Sequence, residues 1–323
     1  FKTIIRGRAF PFSNTLKVSI YTKYFTLPIG GERPLFHLQN AEVRRVIFPD
    51  GESLLKEGRD LKLDQVLFKY KYPLWNDENV TVTDSLFEEM GRSGIWYTNN
   101  ITIKDTTLQA PKLFRRSKGI KLTNVHFAHV EETMWTCEDI ELTNVQVNGD
   151  YFGMNSKHIV ADHLDLVGNY AFDGAEDVLV TNSRLMSKDC FWNTKRVTVK
   201  DSILSGEYLA WHSENLTLIN CVIESDQGLN YVDHLTVKNC RINDSPLLFE
   251  YGTNLDVQVI GNLTSVKNPI SGTIQAPAIG TIIIDPTKVS TDNLVIKTDN
   301  NRDQRILTVD PNPNEQEGEQ EDD

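Results

Sequence analysis

The feature that most constrains this chain is an internal repeat. Short alternating runs open at Leu61, Val80, Ile101, Ile120, Ile140, Ile159, Val178, Val197, Leu216, Leu235 and Leu255, at intervals of 19, 21, 19, 20, 19, 19, 19, 19, 19 and 20 residues. A period this short excludes the βαβ unit, which needs about 30 residues. A leucine-rich repeat is closer in length, but its L-x-x-L-x-L-x-x-N/C pattern is absent. Each unit instead holds two runs of apolar residues spaced two apart, as in Ile140/Leu142 followed by Val145/Val147. Period two marks strands whose apolar side chains share one face.

Between the runs an Asn or Asp recurs four places after the opener, at Asp84, Asp105, Asn124, Asn144, Asn182, Asp201, Asn220 and Asn239. These side chains suit a tight bend. An apolar residue six places before the next opener predicts a third strand, at Leu74, Ile95, Phe114, Met134, Phe172, Phe191, Leu229 and Phe249. The expected fold is all-β: a single-stranded, right-handed parallel β-helix, or solenoid, of about 10–11 coils of roughly 19 residues, each rising about 4.8 Å.

Solenoid ends need caps, because open coils expose core and unpaired edges. Residues 1–57 are expected to form an N-terminal segment and cap, 58–272 the repeats and 273–310 closing strands, with 311–323 a disordered acidic tail. That tail holds six of the acids behind the net charge of −12, so the body is only mildly acidic. A general nucleic-acid partner, which requires a basic surface, is not expected. Neither is a membrane span, since no run of about 18 apolar residues occurs. Residues 1–27 lack the apolar h-region of a secretory signal. The four cysteines (Cys137, Cys190, Cys221, Cys240) show no CxxC spacing and point to a reducing, cytoplasmic location. Cys221 and Cys240 share a column and are expected to stack as buried thiols. No metal or other cofactor is expected. Four Asn-x-Thr sequons, at Asn79, Asn100, Asn215 and Asn262, are read as repeat residues.

One side of the repeat departs from an ordinary solvated sheet. Five places before each opener stand Trp75, Trp96, Arg115, Trp135, Met154, Asp173, Trp192, Trp211, Asn230 and Glu250, a column holding every tryptophan of the chain. Eight or nine places before it stand Arg92, Lys112, Glu131/Glu132, Asp150/Tyr151, Asn169/Tyr170, Lys188/Asp189, Glu207/Tyr208 and Asp226. These columns have two readings. They are ladders that stabilise a solenoid face, or they are the floor and wall of an elongated groove. Pyranose rings present apolar faces to aromatics and hydroxyls to carboxylates, so a polysaccharide or oligosaccharide is the expected partner of a groove. The substrate-binding candidates are Trp75, Arg92, Trp96, Lys112, Arg115, Trp135, Tyr151, Tyr170, Trp192, Tyr208 and Trp211. Hydrolysis needs two carboxylates, which Glu132 with Asp150, or Asp189 with Glu207 or Asp173, would supply. Elimination from a uronate needs a cation and a proton carrier, for which Lys112, Arg115, Arg116 and Lys188 stand near Tyr151, Tyr170 and Tyr208. The catalytic candidates are thus Asp173, Lys188, Asp189, Glu207, Glu132, Asp150 and Arg116.

The segments GERPLF (31–36), DGESLLKEGRDL (50–61), FKYKYPLW (68–75), EMGRSGIWYTNNI (89–101), GDYFGMNS (149–156), GNYAFDG (168–174), SKDCFWN (187–193) and GEYLAWHS (206–213) resemble a family of uncharacterised, mainly bacterial proteins, a domain of unknown function within the pectin-lyase-like superfamily. The resemblance spans roughly 30–285. It implies a right-handed parallel β-helix and no established activity. The superfamily contains polysaccharide lyases, glycoside hydrolases and esterases, but their functional residues do not carry over. No Gly-His-Gly occurs, and the only adjacent Asp pair is Asp322-Asp323. The expectation is a carbohydrate-active hydrolase or lyase; the alternative is a non-catalytic glycan- or protein-binding module.

Overall fold

The structure, a computed structural model, describes residues 4–8, 17–21, 27–299 and 305–308. Parallel pairing sets each opener on the next: Leu61 on Val80, Val80 on Ile101, Ile101 on Ile120, and onward through Ile140, Ile159, Val178, Val197, Leu216 and Leu235. The chain is an all-β parallel solenoid of about 14 coils, spaced about 19 residues apart. Stacking continues on both sides of the repeats. Gln39–Phe48 pairs with Arg59–Phe68, and Ser271–Ala276 and Asn293–Thr298 follow Leu255–Val259. At the N-terminal end Ile4–Arg8 pairs antiparallel with Lys17–Tyr21, which lies on Gln39–Phe48. The acidic segment 311–323 falls outside the described residues.

In many coils the two runs fuse into one bent strand, such as Asn99–Leu108 or Glu138–Asn148. The bend is the recurring Asn/Asp position, held in the left-handed region: φ is 50° at Asp105, 53° at Asn124 and 52° at Asn144. Their side chains form a directional ladder. Asn144 Nδ2 donates to Asn124 Oδ1 and Asn124 Nδ2 to Asp105 Oδ1, each at 2.8 Å. The same stack runs from Asn239 through Asn220 to Asp201. An amide passes its hydrogens down the stack, so an acceptor-only aspartate ends each run.

The third side corrects the expectation of a third strand in every coil. It is strand at Leu74–Trp75, Ile95–Trp96 and Phe114–Arg115, then a lone bridge between Arg115 and Trp135. Around Phe172, Phe191, Leu229 and Phe249 it is turn or bend. The cause is local: Met134, Phe172, Phe191, Leu229 and Phe249 all have φ between 57° and 65°, outside the β region. All five remain buried. Phe172 and Phe191 stack at 5.4 Å, as Phe48, Phe68 and Phe87 do elsewhere in the core.

Further left-handed corners lie eight, four and one places before the opener, for example Glu132, Thr136 and Asp139 in one coil. Three of the sequon asparagines, Asn79, Asn100 and Asn215, are such corners. A corner turns the following N–H inward, where it needs a buried acceptor. Hydroxyls of the next coil provide it: Ser183 Oγ accepts from Leu164, Ser202 Oγ from Ser183, Ser117 Oγ from Thr98, and Ser156 Oγ from Cys137. Cys240 Sγ serves Cys221 in this way, so the expected thiol stack is an acceptor ladder between two free, buried cysteines.

At Asp77 a carboxylate takes the hydroxyl's place. Its Oδ1 accepts from Gly58, Oδ2 has no partner, and burial pushes the carboxyl from 3.8 up to about 8, against a smaller pull from Arg59 and beside Glu57. The folded state therefore favours the neutral acid. The stability that neutrality confers is complete below the unfolded value of 3.8 and is lost as pH rises through about 8. Asp77→Ser, which extends the hydroxyl ladder, is expected to gain stability relative to wild type by about 5 kcal/mol more at pH 8 than at pH 4. Urea unfolding at both pH values tests this, and a pH-independent difference would remove the assignment. At the exposed corner Thr136, with φ 54°, a β-branched residue sits where Asn is easier. Thr136→Asn is expected to raise unfolding free energy by about 0.5–1 kcal/mol in the same assay.

Candidate functional site

Corners eight and four places before the opener frame a short segment in which two consecutive residues turn inward, as Leu113 and Phe114 or Cys190 and Phe191 do. The next residue, the tryptophan-column position, then faces out. Stacked coils present these positions and the corners themselves as one continuous lateral face.

In its first half the rings and charges engage one another. Trp75 and Trp96 lie 5.0 Å apart, with Tyr72 edge-on to Trp75 at 5.2 Å. The Arg115 guanidinium is inserted between Trp96 at 5.0 Å and Trp135 at 4.4 Å. Glu132 accepts from Arg115 at 2.6 Å and pairs with Lys112 at 3.0 Å. Trp96 Nε1 donates to the Lys112 carbonyl and Trp135 Nε1 to the Tyr151 carbonyl, both at 2.7 Å. Arg116 reaches the Tyr97 hydroxyl at 3.3 Å, and Arg92 is exposed.

The second half is organised around tyrosines. Tyr151 and Tyr170 stack at 4.9 Å with planes 3° apart. The Tyr170 hydroxyl hydrogen-bonds Asp189, which is 2% exposed and whose Oδ1 has no partner. Burial pushes the Asp189 carboxyl up, partly opposed by Lys188 and Tyr170, and Asp173 and Glu207 add like charge. Asp173 is half-buried, and burial pushes it up too. Lys188 pairs with Glu207 at 3.1 Å, which raises the lysine, and lies over Tyr208 at 5.8 Å. Tyr170 and Tyr208 are raised as well, by burial first. Beyond them Trp192 stacks on Trp211 at 5.5 Å, and Trp211 Nε1 donates to the Gln227 carbonyl at 2.6 Å.

These contacts make a packed ladder, the first of the two readings of the columns. Trp211 is 7% exposed. Of the proposed carboxylate pairs, Glu132 is held by Arg115 and Lys112, and Asp150 accepts the Asn169 backbone N–H at 2.7 Å. Asp173, Asp189 and Glu207 do come into one neighbourhood. The sequence reading missed His212, Tyr231 and Tyr251, which continue the ring stack at 4.8 Å and 5.3 Å. The same column arithmetic applied one place later would have found them. Towards the C-terminal end the tryptophan column turns polar and buried, at Asn230 and Glu250, and Glu250 is paired with the buried Lys267 at 3.4 Å.

Among the described residues no three His, Cys, Asp or Glu side chains are grouped to hold a metal, and no helix is long and apolar enough to cross a membrane.

The coils are similar to those of PfbA, a surface adhesin of Streptococcus pneumoniae, at 10% identity and TM-score 0.42, over 69% of this chain and 82% of that one. They are also similar to trypsin-treated QnrB1, a plasmid-mediated fluoroquinolone resistance protein, at 10% identity and TM-score 0.30, over 57% and 92% of the two chains. No curated protein matches the chain. A family model does, over residues 23–297, and with most of its length matched the chain belongs to the family described as "Protein of unknown function (DUF3737)".

Proposed function

We propose that the protein is a carbohydrate-binding β-helix whose lateral face, centred on Tyr151–Trp211, receives an oligosaccharide. The observation that carries this reading is the Tyr151–Tyr170 stack beside Asp173, Lys188, Asp189 and Glu207, a conjunction of ring faces with hydrogen-bonding ionisable groups. Sugars are bound by that pairing: apolar ring faces stack, and hydroxyls take the polar groups. Elimination from a uronate is the weaker reading, because Lys112 and Arg115 are occupied by Glu132 and Lys188 by Glu207. A hydrolytic role has one specific support. A buried carboxyl biased towards its neutral form, Asp189, has the chemistry of a general acid, with Glu207 as the partner base.

Titration calorimetry against a panel of oligosaccharides is expected to give saturable binding with at least one. Tyr151→Ala and Trp192→Ala are each expected to weaken it about tenfold, or ~1.4 kcal/mol. Absence of binding across the panel, or affinity indifferent to both substitutions, would overturn the reading. On the same panel, new reducing ends that vanish in Asp189→Asn and Glu207→Gln would establish hydrolysis; binding without product would establish a module.

A further inference from the structure

The tryptophan column is interrupted twice along the aromatic face, and the two interruptions differ. At Arg115 the gap is filled: the guanidinium stacks on both neighbouring indoles and Glu132 neutralises it. Between Trp135 and Trp192 stand Met154 and Asp173. Three coil steps separate those indoles, about 14 Å. Asp173 is half-buried, yet among the described residues its side chain has neither an ion pair nor a hydrogen bond. In the next coil Asp189 is 2% exposed with an unpartnered Oδ1. The neighbouring cation, Lys188, is turned to Glu207 at 3.1 Å. Alongside run the parallel rings of Tyr151 and Tyr170.

Two carboxyls without a salt bridge, next to the partly exposed rings of Tyr151 and Tyr170, are the elements of a cation site. A buried carboxylate without a partner is unfavourable, and an ammonium group arriving at it supplies what the fold does not. We infer that the break at Met154–Asp173 is a subsite for a sugar carrying a free, protonated amino group, with the ammonium on Asp173 and the ring against Tyr151 and Tyr170. This rests on the carbohydrate-binding reading and names its substrate class: amino sugars with unacetylated nitrogen. Asp189, in the neighbouring coil, offers the subsite a second oxygen without a partner, Oδ1.

The test uses the full chain and four β-1,4-linked tetrasaccharides: glucosamine, N-acetylglucosamine, glucose and a uronate. Calorimetry near pH 6 is expected to show the free-amine tetramer binding at least tenfold tighter than the other three. Asp173→Asn, which keeps the side-chain shape, is expected to lower the ratio of amine-tetramer to glucose-tetramer affinity about tenfold. Asp189→Asn is expected to reduce it less, and gives a second variant should the first misfold. If the acetylated, neutral or acidic tetramer binds as well as the amine, the inference falls while carbohydrate binding stands. If the amine preference survives in both variants, the subsite lies elsewhere. If none of the four binds, the inference falls; the wider panel then decides carbohydrate binding.

Discussion

The lateral face depends on the left-handed corner. A non-glycine residue in that region costs roughly 1 kcal/mol or more, and here several recur in every coil. Backbone hydrogen bonds between coils offset the cost. Tyr97 N–H donates to the Arg115 carbonyl, Arg116 to Trp135, Thr136 to Met154, Asn155 to Asp173 and Asn193 to Trp211. Each corner thus bonds to the tryptophan-column residue of the following coil. Because the backbone enforces the corner, its side chain is released from turn chemistry, and Tyr, Arg, Thr, Asn and His all occupy it. That freedom is what lets the face carry rings and charges.

The same corners set the interior. An N–H turned inward after a corner has no strand partner, and a buried orphan donor is costly. Ser, Thr and Cys at two inward columns therefore act as part of the backbone ladder. Ser85 shows the economy of it: its Oγ accepts from Val66 N–H and donates to the Thr83 carbonyl. Asp77 satisfies the geometry but brings an ionisation the site does not support. A column that tolerates only a small donor-acceptor explains why the core is not purely aliphatic.

The sequence made the winding legible because strict alternation, as in Ile140/Leu142 and Val145/Val147, survives in nearly every coil, and because the Asn/Asp bend is chemically distinctive. The third side was misread for a definable reason. Met134, Phe172 and Phe191 carry the right apolar period, but period does not report the sign of φ, and aromatic residues give no hint of a left-handed backbone. The inward hydroxyl ladders were hidden in the same way, since a Ser between strands reads as a turn residue. For the site, column arithmetic aligned all the tryptophans correctly. What it did not contain was their tilt. Indoles that bond carbonyls sixteen residues ahead, as Trp96 and Trp135 do, lie along the face and close it.

The polar residues of the tryptophan column separate what the fold requires from what it does not. Arg115 is stacked and neutralised by Glu132; Asn230 Oδ1 accepts the Glu250 N–H; Glu250 is paired with Lys267. Each has a partner in an adjacent coil, as solenoid packing demands of groups removed from water. Asp173 breaks that pattern, for its side chain has no such partner among the described residues. An asparagine there would keep the shape and carry no ionisation penalty, so the carboxyl contributes nothing that the ladder needs. A carboxyl that packing neither uses nor compensates, near two stacked rings and a second acid with an unpartnered Oδ1, is what the ladder alone does not account for, and it is the ground on which the subsite is inferred.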